Sequence, residues 1–401
     1  MRGGGKGLVL GVLGVLGVLA AGAFFVTREA PPPKAAPGLT VATLLGKTEG
    51  GDEGYARALQ PREFHFPEDH GPHEAFRTEW WYWTGNLQTA DGHAFGYQLT
   101  MFRNAMASEA VKRESEWGTR QLYMGHFALS DLGAKRFHVF ERFSRAAVGL
   151  AGAQAQPFRV WLEDWEVKGL NDGALPMRLS VAAQAVALSL VMDEGKPPVL
   201  QGDQGLSQKG GPGSASYYYS LTRMPSRGTV TVEGRVYEVT GSSWMDREWS
   251  TAVLDASHLG WDWFSLQLSD DTELMYYQLR LRDGTTAPGS AGSFVFPQGT
   301  SARLKPGEGK LEVLDTWTSP RSGVTYPARW RLSVPSQQLE LEIVPAQSDQ
   351  ELPVIVRYWE GSVRIHGTRA GQPVTGRGYV ELTGYGDEPS TSASRGALPE
   401  K

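Results

Sequence analysis

Apolar and polar residues alternate with a period of two through most of the chain beyond residue 60, broken at intervals by Gly, Asp and Asn. "HAFGYQLTMF" (93–102), "RFHVFERF" (136–143), "GTVTVEGRVYEVTG" (228–241), "ELMYYQLRLR" (273–282) and "SVRIHG" (362–367) are examples. The pattern predicts strands joined by turns. Helical periodicity is scarce; "ASEAVKRES" (107–115) is one short candidate. "GDQGLSQKGGPGSAS" (202–216) has the composition of a flexible loop, and the tail at 389–401 has that of a disordered segment.

The pattern repeats. A shift of 180 positions places Trp81 on Trp261, Trp83 on Trp263, Asp91 on Asp271 and Tyr97-Gln98-Leu99 on Tyr277-Gln278-Leu279. A shift of 133 sets "GTVTVEG" (228–234) on "GSVRIHG" (361–367), and one of 135 pairs Asp246 with Glu381. The order is kept in both halves, so the chain reads as two diverged copies of one all-β unit. Each copy is long enough for an up-and-down antiparallel barrel, a fold that holds apolar ligands. The expected layout is a barrel over 61–250 and a second over 251–388.

The N-terminus breaks the pattern. Arg2 and Lys6 precede an uncharged run from Gly7 to Val26, which reads as a signal peptide or an uncleaved membrane anchor spanning 1–28. Either reading predicts an exported body, in the periplasm or cell envelope, with membrane contact through this segment. A Pro- and Ala-rich linker follows at 29–60. The 401 residues include no Cys, which excludes disulfides and thiol catalysis. A net charge of −5 with no basic block argues against a nucleic-acid partner.

Thirteen Trp change the picture because several stand beside acids. In "RTEWWYWTGNL" (77–87), Glu79, Trp81 and Trp83 share one strand face, and Trp80 and Tyr82 the other. Burial would raise the Glu79 pKa and make it a general acid; the competing reading is an ion pair with Arg77 or a barrel-closing hydrogen bond. In "SSWMDREWS" (242–250), Trp244, Asp246 and Glu248 face one way, and Met245, Arg247 and Trp249 the other. Two carboxylates so close repel, so one pKa should rise, which suits an acid/base pair or a carboxylate clamped by Arg247. In "LGWDWFSLQL" (259–268), Asp262 lies opposite Trp261 and Trp263. Indole faces stabilise cations, which suits a carbocation chemistry. "HFPEDHGPH" (65–73) lacks zinc-ligand spacing, so no metal or cofactor is expected, and His70 reads as a hydrogen bonder fixing the loop. His126 reads equally as a satisfied core histidine.

"DHGPHEAFRTEWWYWTGNL", "YYYSLTRMPSRGTVTVEG", "GSSWMDREWS" and "GWDWFSLQLSDDTELMYYQLR" together resemble the AttH/CrtC family, from about residue 60 to 388. That family includes proteins called predicted secreted hydrolases and the carotenoid 1,2-hydratases. The resemblance implies two tandem lipocalin-like (calycin) barrels with a pocket near their junction. It implies hydration or cyclisation of polyenes, prenylated phenolics or polyketides, and a neighbouring ABC-type exporter permease. The hydratase branch carries His-Asn-Trp where this chain has Arg247-Glu248-Trp249, and its Tyr and Asp in the following strand meet Tyr277-Gln278-Leu279 here. The departures point away from carotenoids and towards an exported AttH-like protein. It would act by acid/base hydration, hydrolysis or isomerisation on a hydrophobic, lipid-like or isoprenoid substrate. A non-catalytic lipid carrier serving the exporter is the alternative. The carboxylates expected to matter are Glu79, Asp246, Glu248 and Asp262; Trp81, Trp83, Trp249, Trp261 and Tyr277 are expected to shape the substrate pocket.

Overall fold

The computed structural model describes residues 52–108, 115–252, 254 and 257–386. The N-terminal signal or anchor, most of the linker, the core of the helix candidate at 107–115 and the tail beyond 386 lie outside these residues. Everything described is built from antiparallel strands and two single-turn 3-10 helices.

The first sheet opens with a meander of four long strands, β1 (Thr78–Gln88), β2 (Ala94–Ala105), β3 (Gln121–Asp131) and β4 (Arg136–Arg145). Shorter strands follow: β5 (Ala151–Gln154), β6 (Arg159–Leu162), β7 (Trp165–Gly169), β8 (Met177–Ala183) and β9 (Val186–Met192). Two short pieces, β10 (Val199–Leu200) and β11 (Leu206–Gln208), lead into the long hairpin β12 (Ala215–Val232) and β13 (Arg235–Ala252). The second sheet repeats the plan with β14 (His258–Leu268), β15 (Glu273–Leu281), β16 (Ala291–Val295) and β17 (Ser301–Leu304). After β18 (Lys310–Thr318), β19 (Thr325–Val334), β20 (Leu339–Pro345) and β21 (Glu351–Leu352), it closes on the hairpin β22 (Tyr358–Arg369) and β23 (Gln372–Thr383).

Strand order makes the duplication explicit. The first sheet runs β4-β3-β2-β1-β13-β12 and onward to β9; the second runs β17-β16-β15-β14-β23-β22 and onward to β20. In each, the last hairpin returns to pair with the first strand. Each hairpin turns on two left-handed residues, Glu233-Gly234 and Ala370-Gly371, the turn whose twist matches that of the strands. Each sheet curls, barrel-like, around its own apolar core: Trp81, Trp83, Leu99 and Trp249 in the first, Phe264, Leu266, Trp330 and Ile365 in the second.

The two sheets also pack against each other, and this is what positions the site. Between them lies a third apolar cluster of Tyr82, Tyr218, Trp244, Trp263, Met275 and Tyr277. β2 approaches β22 so closely that a Cβ on Gly96 would sit 2.7 Å from the Ser362 Cβ, so only glycine fits there. Polar bonds cross the same seam. Ser362 Oγ donates to Asn86 Oδ1 at 2.5 Å, and Gln267 Nε2 to the Thr222 carbonyl at 2.7 Å.

The register corrects one residue-level expectation. The gapless shift of 180 superposes β1 on β14, yet Trp81 and Trp83 point into the first core while Trp261 and Trp263 point into the seam. A one-residue slip sends every side chain of a strand to the opposite face. By facing, Trp261 and Trp263 correspond to Trp80 and Tyr82. The shifts of 133 and 135 keep facing: Val230 and Val363 are both core residues, and Asp246 and Glu381 both face the seam.

Candidate functional site

A cavity of about 90 Å³ opens in the seam. Its walls are aromatic and aliphatic, including Trp80, Phe102, Trp261, Trp263 and Leu279, and into them project Asp246, Glu248, Glu381 and Lys209. Alternation explains the acids. Tyr82 pairs with Asp246 and Trp80 with Glu248 across β1 and β13, so all four emerge on the same side.

Among the described residues, Asp246 is held by neutral donors alone. Tyr218 donates from its hydroxyl at 2.5 Å, Ser220 at 2.6 Å and the Trp244 indole at 2.7 Å. Burial raises its pKa to about 7; those three hydrogen bonds pull it down, and the neighbouring Glu248 pushes it up. The rise expected for one member of the Asp246/Glu248 pair is thus on Asp246, with burial rather than repulsion as the leading cause. Glu381, from β23, is likewise raised to about 7 by burial, against a Trp261 hydrogen bond and the Lys209 charge, and with Asp246 and Glu248 adding to the rise. Glu248 differs. Lys209 Nζ lies 2.6 Å from its Oε1, and Ser216 donates to the same oxygen. Burial alone would lower the Lys209 pKa, but Glu248 holds it above the usual lysine value. The Lys209 ammonium also lies 5.0 Å from both the Tyr218 and Tyr277 ring centroids.

Glu79 lies elsewhere. It is buried on the opposite face of β1, inside the first core, between Arg103 and Arg247, which both donate to its carboxylate. The His73 backbone N–H adds a contact at 3.0 Å. Burial would raise its pKa, but the two guanidiniums and His73 hold it far below the usual carboxylate range. The expectation of a protonated acid at Glu79 is therefore corrected: it is an ion-pair partner, though not of Arg77, which binds Asp52 at 2.7 Å. Trp81, Trp83 and Trp249 share that core rather than the cavity. The Arg247 guanidinium lies 4.0 Å from the Trp81 ring centroid, and His73 stacks on Trp249 at 3.7 Å. His70 does fix its loop: its carbonyl accepts the Trp81 indole at 2.8 Å, and Nδ1 lies 2.6 Å from the Tyr219 hydroxyl.

Asp262 faces the second core, bonded by Arg280 at 3.0 Å and by Tyr385 at 3.0 Å. Trp261 and Tyr277 do line the cavity, and the Tyr277 hydroxyl lies 3.1 Å from Ser207 Oγ. Of the nine sequence-derived site residues, the structure brings Asp246, Glu248, Trp261 and Tyr277 together. It adds Lys209, Tyr218, Trp263 and Glu381. Lys209 and Ser207 belong to the stretch expected to be a flexible loop; here it forms β11 and packs into the seam. Glu381 carried one signal, its pairing with Asp246 in the internal repeat. Among the described residues no group of three or more acids and histidines is arranged to hold a metal ion.

The model of the family described as AttH-like matches residues 57–385. A crystal structure of a Nitrosomonas europaea protein named for AttH is similar at 36% identity with a TM-score of 0.73, covering 82% of this chain and 99% of that one. The kievitone hydratase structure from Nectria haematococca shares the fold at 17% identity, with a TM-score of 0.62 and coverage of 83% and 97%. Kievitone hydratase of Fusarium solani subsp. phaseoli is 24% identical over 176 residues, 42% of this chain and 49% of that protein. That alignment therefore spans about half the relative's length.

Proposed function

This chain belongs to the AttH-like family, and from that premise we propose that it is a hydratase-type acid/base enzyme whose active site is the cavity between the two sheets. The observation that carries the reading is the pair of buried carboxyls, Asp246 and Glu381, raised to about 7 in an aromatic pocket, with no cation hydrogen-bonded to either among the described residues. A carboxylic acid kept neutral by an apolar site is a competent proton donor near neutral pH. The similarity to kievitone hydratases supports hydration over hydrolysis or isomerisation.

In the proposed reaction Asp246 gives its proton to one carbon of a substrate double bond. The cation left on the other carbon lies against the faces of Trp261 and Trp263. Water adds to it and loses a proton to the Glu248 carboxylate, which Lys209 and Ser216 hold in place. That proton returns to Asp246, so the sum is alkene plus water giving an alcohol. The lining favours a hydrophobic, isoprenoid-like or lipid-like alkene. Glu79 and Asp262, tied into ion pairs on the other faces of their strands, have no part in it.

The test is turnover of prenylated phenols, polyenes and terpenoid alkenes in heavy-oxygen water, followed by mass spectrometry. A product one labelled water heavier, lost in folded Asp246→Asn, supports the reading. Folded Asp246→Asn and Glu381→Gln proteins that both keep wild-type turnover would sink it. The rival reading, a lipid carrier beside an ABC-type exporter, draws on the same apolar lining; a carrier would keep its ligand affinity in Asp246→Asn and lose it in Trp261→Ala. We also propose that the body is exported behind the apolar run at 7–26, which cell fractionation of a tagged protein would check.

A further inference from the structure

We propose that His126 is a proton-relay residue, and that the chain Glu141–His126–Tyr358 carries protons between solvent and the inter-sheet cavity. The inference rests on reading that cavity as an acid/base site and adds how its acids exchange protons while substrate fills it.

His126 stands on β3, buried, and uses both ring nitrogens. Nε2 lies 3.1 Å from Oε1 of Glu141 on β4, and Nδ1 lies 2.8 Å from the hydroxyl of Tyr358 on β22. The two ends differ in surroundings. The Glu141 side chain keeps contact with solvent, at 23% exposure, and its Oε1 is fixed by the Ile355 backbone N–H at 3.1 Å. Tyr358 is buried and lines the cavity together with Glu381. Behind it lies Glu360, buried, with Oε1 accepting from the Tyr82 hydroxyl at 2.6 Å and Oε2 without a partner among the described residues. Tyr82 is itself a cavity wall. Burial and the charges of Glu360 and Glu381 push the Tyr358 hydroxyl well above the usual tyrosine value, and His126 itself also lines the cavity.

A mere strut between the sheets needs one hydrogen bond. Here an imidazole joins two proton-exchanging groups, one wet and one in the pocket, which is the arrangement a relay requires. The hop balances. Glu141 takes a proton from water and passes it to Nε2; the Nδ1 proton moves to the Tyr358 oxygen, whose own proton is released into the cavity, where an ionised acid such as Glu381 takes it up. Each of the three relay groups forms one bond to hydrogen and breaks one, the proton lost by the water is the one gained in the cavity, nothing is oxidised or reduced, and the reverse hop resets the ring. Such a path gives the pocket a second way to reset after turnover, since Asp246 gives up a proton and Glu248 gains one, and it lets the buried acids equilibrate with solvent while substrate fills the cavity.

The test needs no substrate. The carbonyl band of the buried protonated carboxyls is followed by infrared spectroscopy at neutral pH after rapid mixing of the full chain into D₂O. In the wild type the band shifts quickly to its deuterated position. In Tyr358→Phe, which keeps the ring and loses the hydroxyl, and in the surface variant Glu141→Gln, exchange slows by at least about tenfold, since it must wait for local opening. In His126→Ala, added imidazole restores the fast rate, a rescue that a structural strut would not give. If the wild type shows no protonated-carboxyl band at neutral pH, the acid/base reading of the pocket falls and the relay with it. If the band is present and exchanges at the wild-type rate in both folded Tyr358→Phe and Glu141→Gln, the relay alone is overturned.

Discussion

Glu79 and Asp246 are both buried acids on the same pair of neighbouring strands, yet burial leaves them in opposite states. Glu79 points into the first core, where Arg103 and Arg247 grip it and hold its pKa far down. Asp246 points into the seam, where Tyr218, Ser220 and Trp244 donate to it and no cation among the described residues does, and its pKa rises to about 7. Desolvation acts on both. What decides the outcome is whether the opposing face supplies a guanidinium, and Arg247 can serve only one face of β13. The comparison separates an acid that holds the barrel together from one left free to give up a proton.

The largest break in that contrast comes from removing a cation from Glu79. Arg103→Met or Arg247→Leu leaves a buried carboxylate half-paired and should cost about 3–5 kcal/mol of unfolding free energy in urea titrations. Glu79→Gln, which strands two guanidiniums, should behave alike, with any loss of turnover following the loss of folded protein. Asp246→Asn should do the reverse: little change in stability at acid pH, where Asp246 is neutral in the folded and the unfolded chain alike, but turnover down by about 10²–10⁴-fold in the labelled-water assay.

The two Trp sets sharpen the same division. Trp81→Ala opens a cavity in the first core and should cost about 3–5 kcal/mol in thermal or urea unfolding. Trp261→Ala removes a half-buried pocket wall and should cost about 1 kcal/mol while weakening ligand binding in a fluorescence titration. The mildest effect is on pH. Asp246 and Glu381 have folded pKa values raised to about 7 from 3.8 and 4.5. Their contribution is complete below the unfolded values and is lost as pH rises towards 7, because the unfolded chain ionises first. Glu79, with its pKa depressed, contributes above its unfolded value of 4.5 and loses that contribution as pH falls below it. Urea midpoints across pH should therefore fall on both sides, and Asp246→Asn should flatten the alkaline side only.

Much of this was legible in the chain. The period of two placed Trp80 and Tyr82 opposite Trp81 and Trp83, and Asp246 and Glu248 opposite Arg247 and Trp249, and the strands keep that sorting. The repeated order of motifs announced two copies of one unit, which the matching strand orders of the two sheets display. The resemblance to the AttH/CrtC family pointed to the same pair of barrels.

What alternation cannot tell is which face turns inward. It gave two faces for each strand without saying which met a core and which met the seam, so Glu79 read as well as Asp246 for an acid. The shift of 180 matched Trp to Trp and missed that the two pairs face opposite ways, because letter identity is blind to a one-residue slip. Tyr218 reaches Asp246 through the pairing of β12 with β13, Lys209 comes in from the stretch just before β12, and Glu381 lies on β23, brought to the same cavity only by the packing of one sheet on the other. Local pattern depends on neighbours along the chain, and so the sequence determined strands, faces and repeat. Electrostatic state depends on neighbours in space, and so the tertiary structure alone decided which buried acid is paired and which is poised.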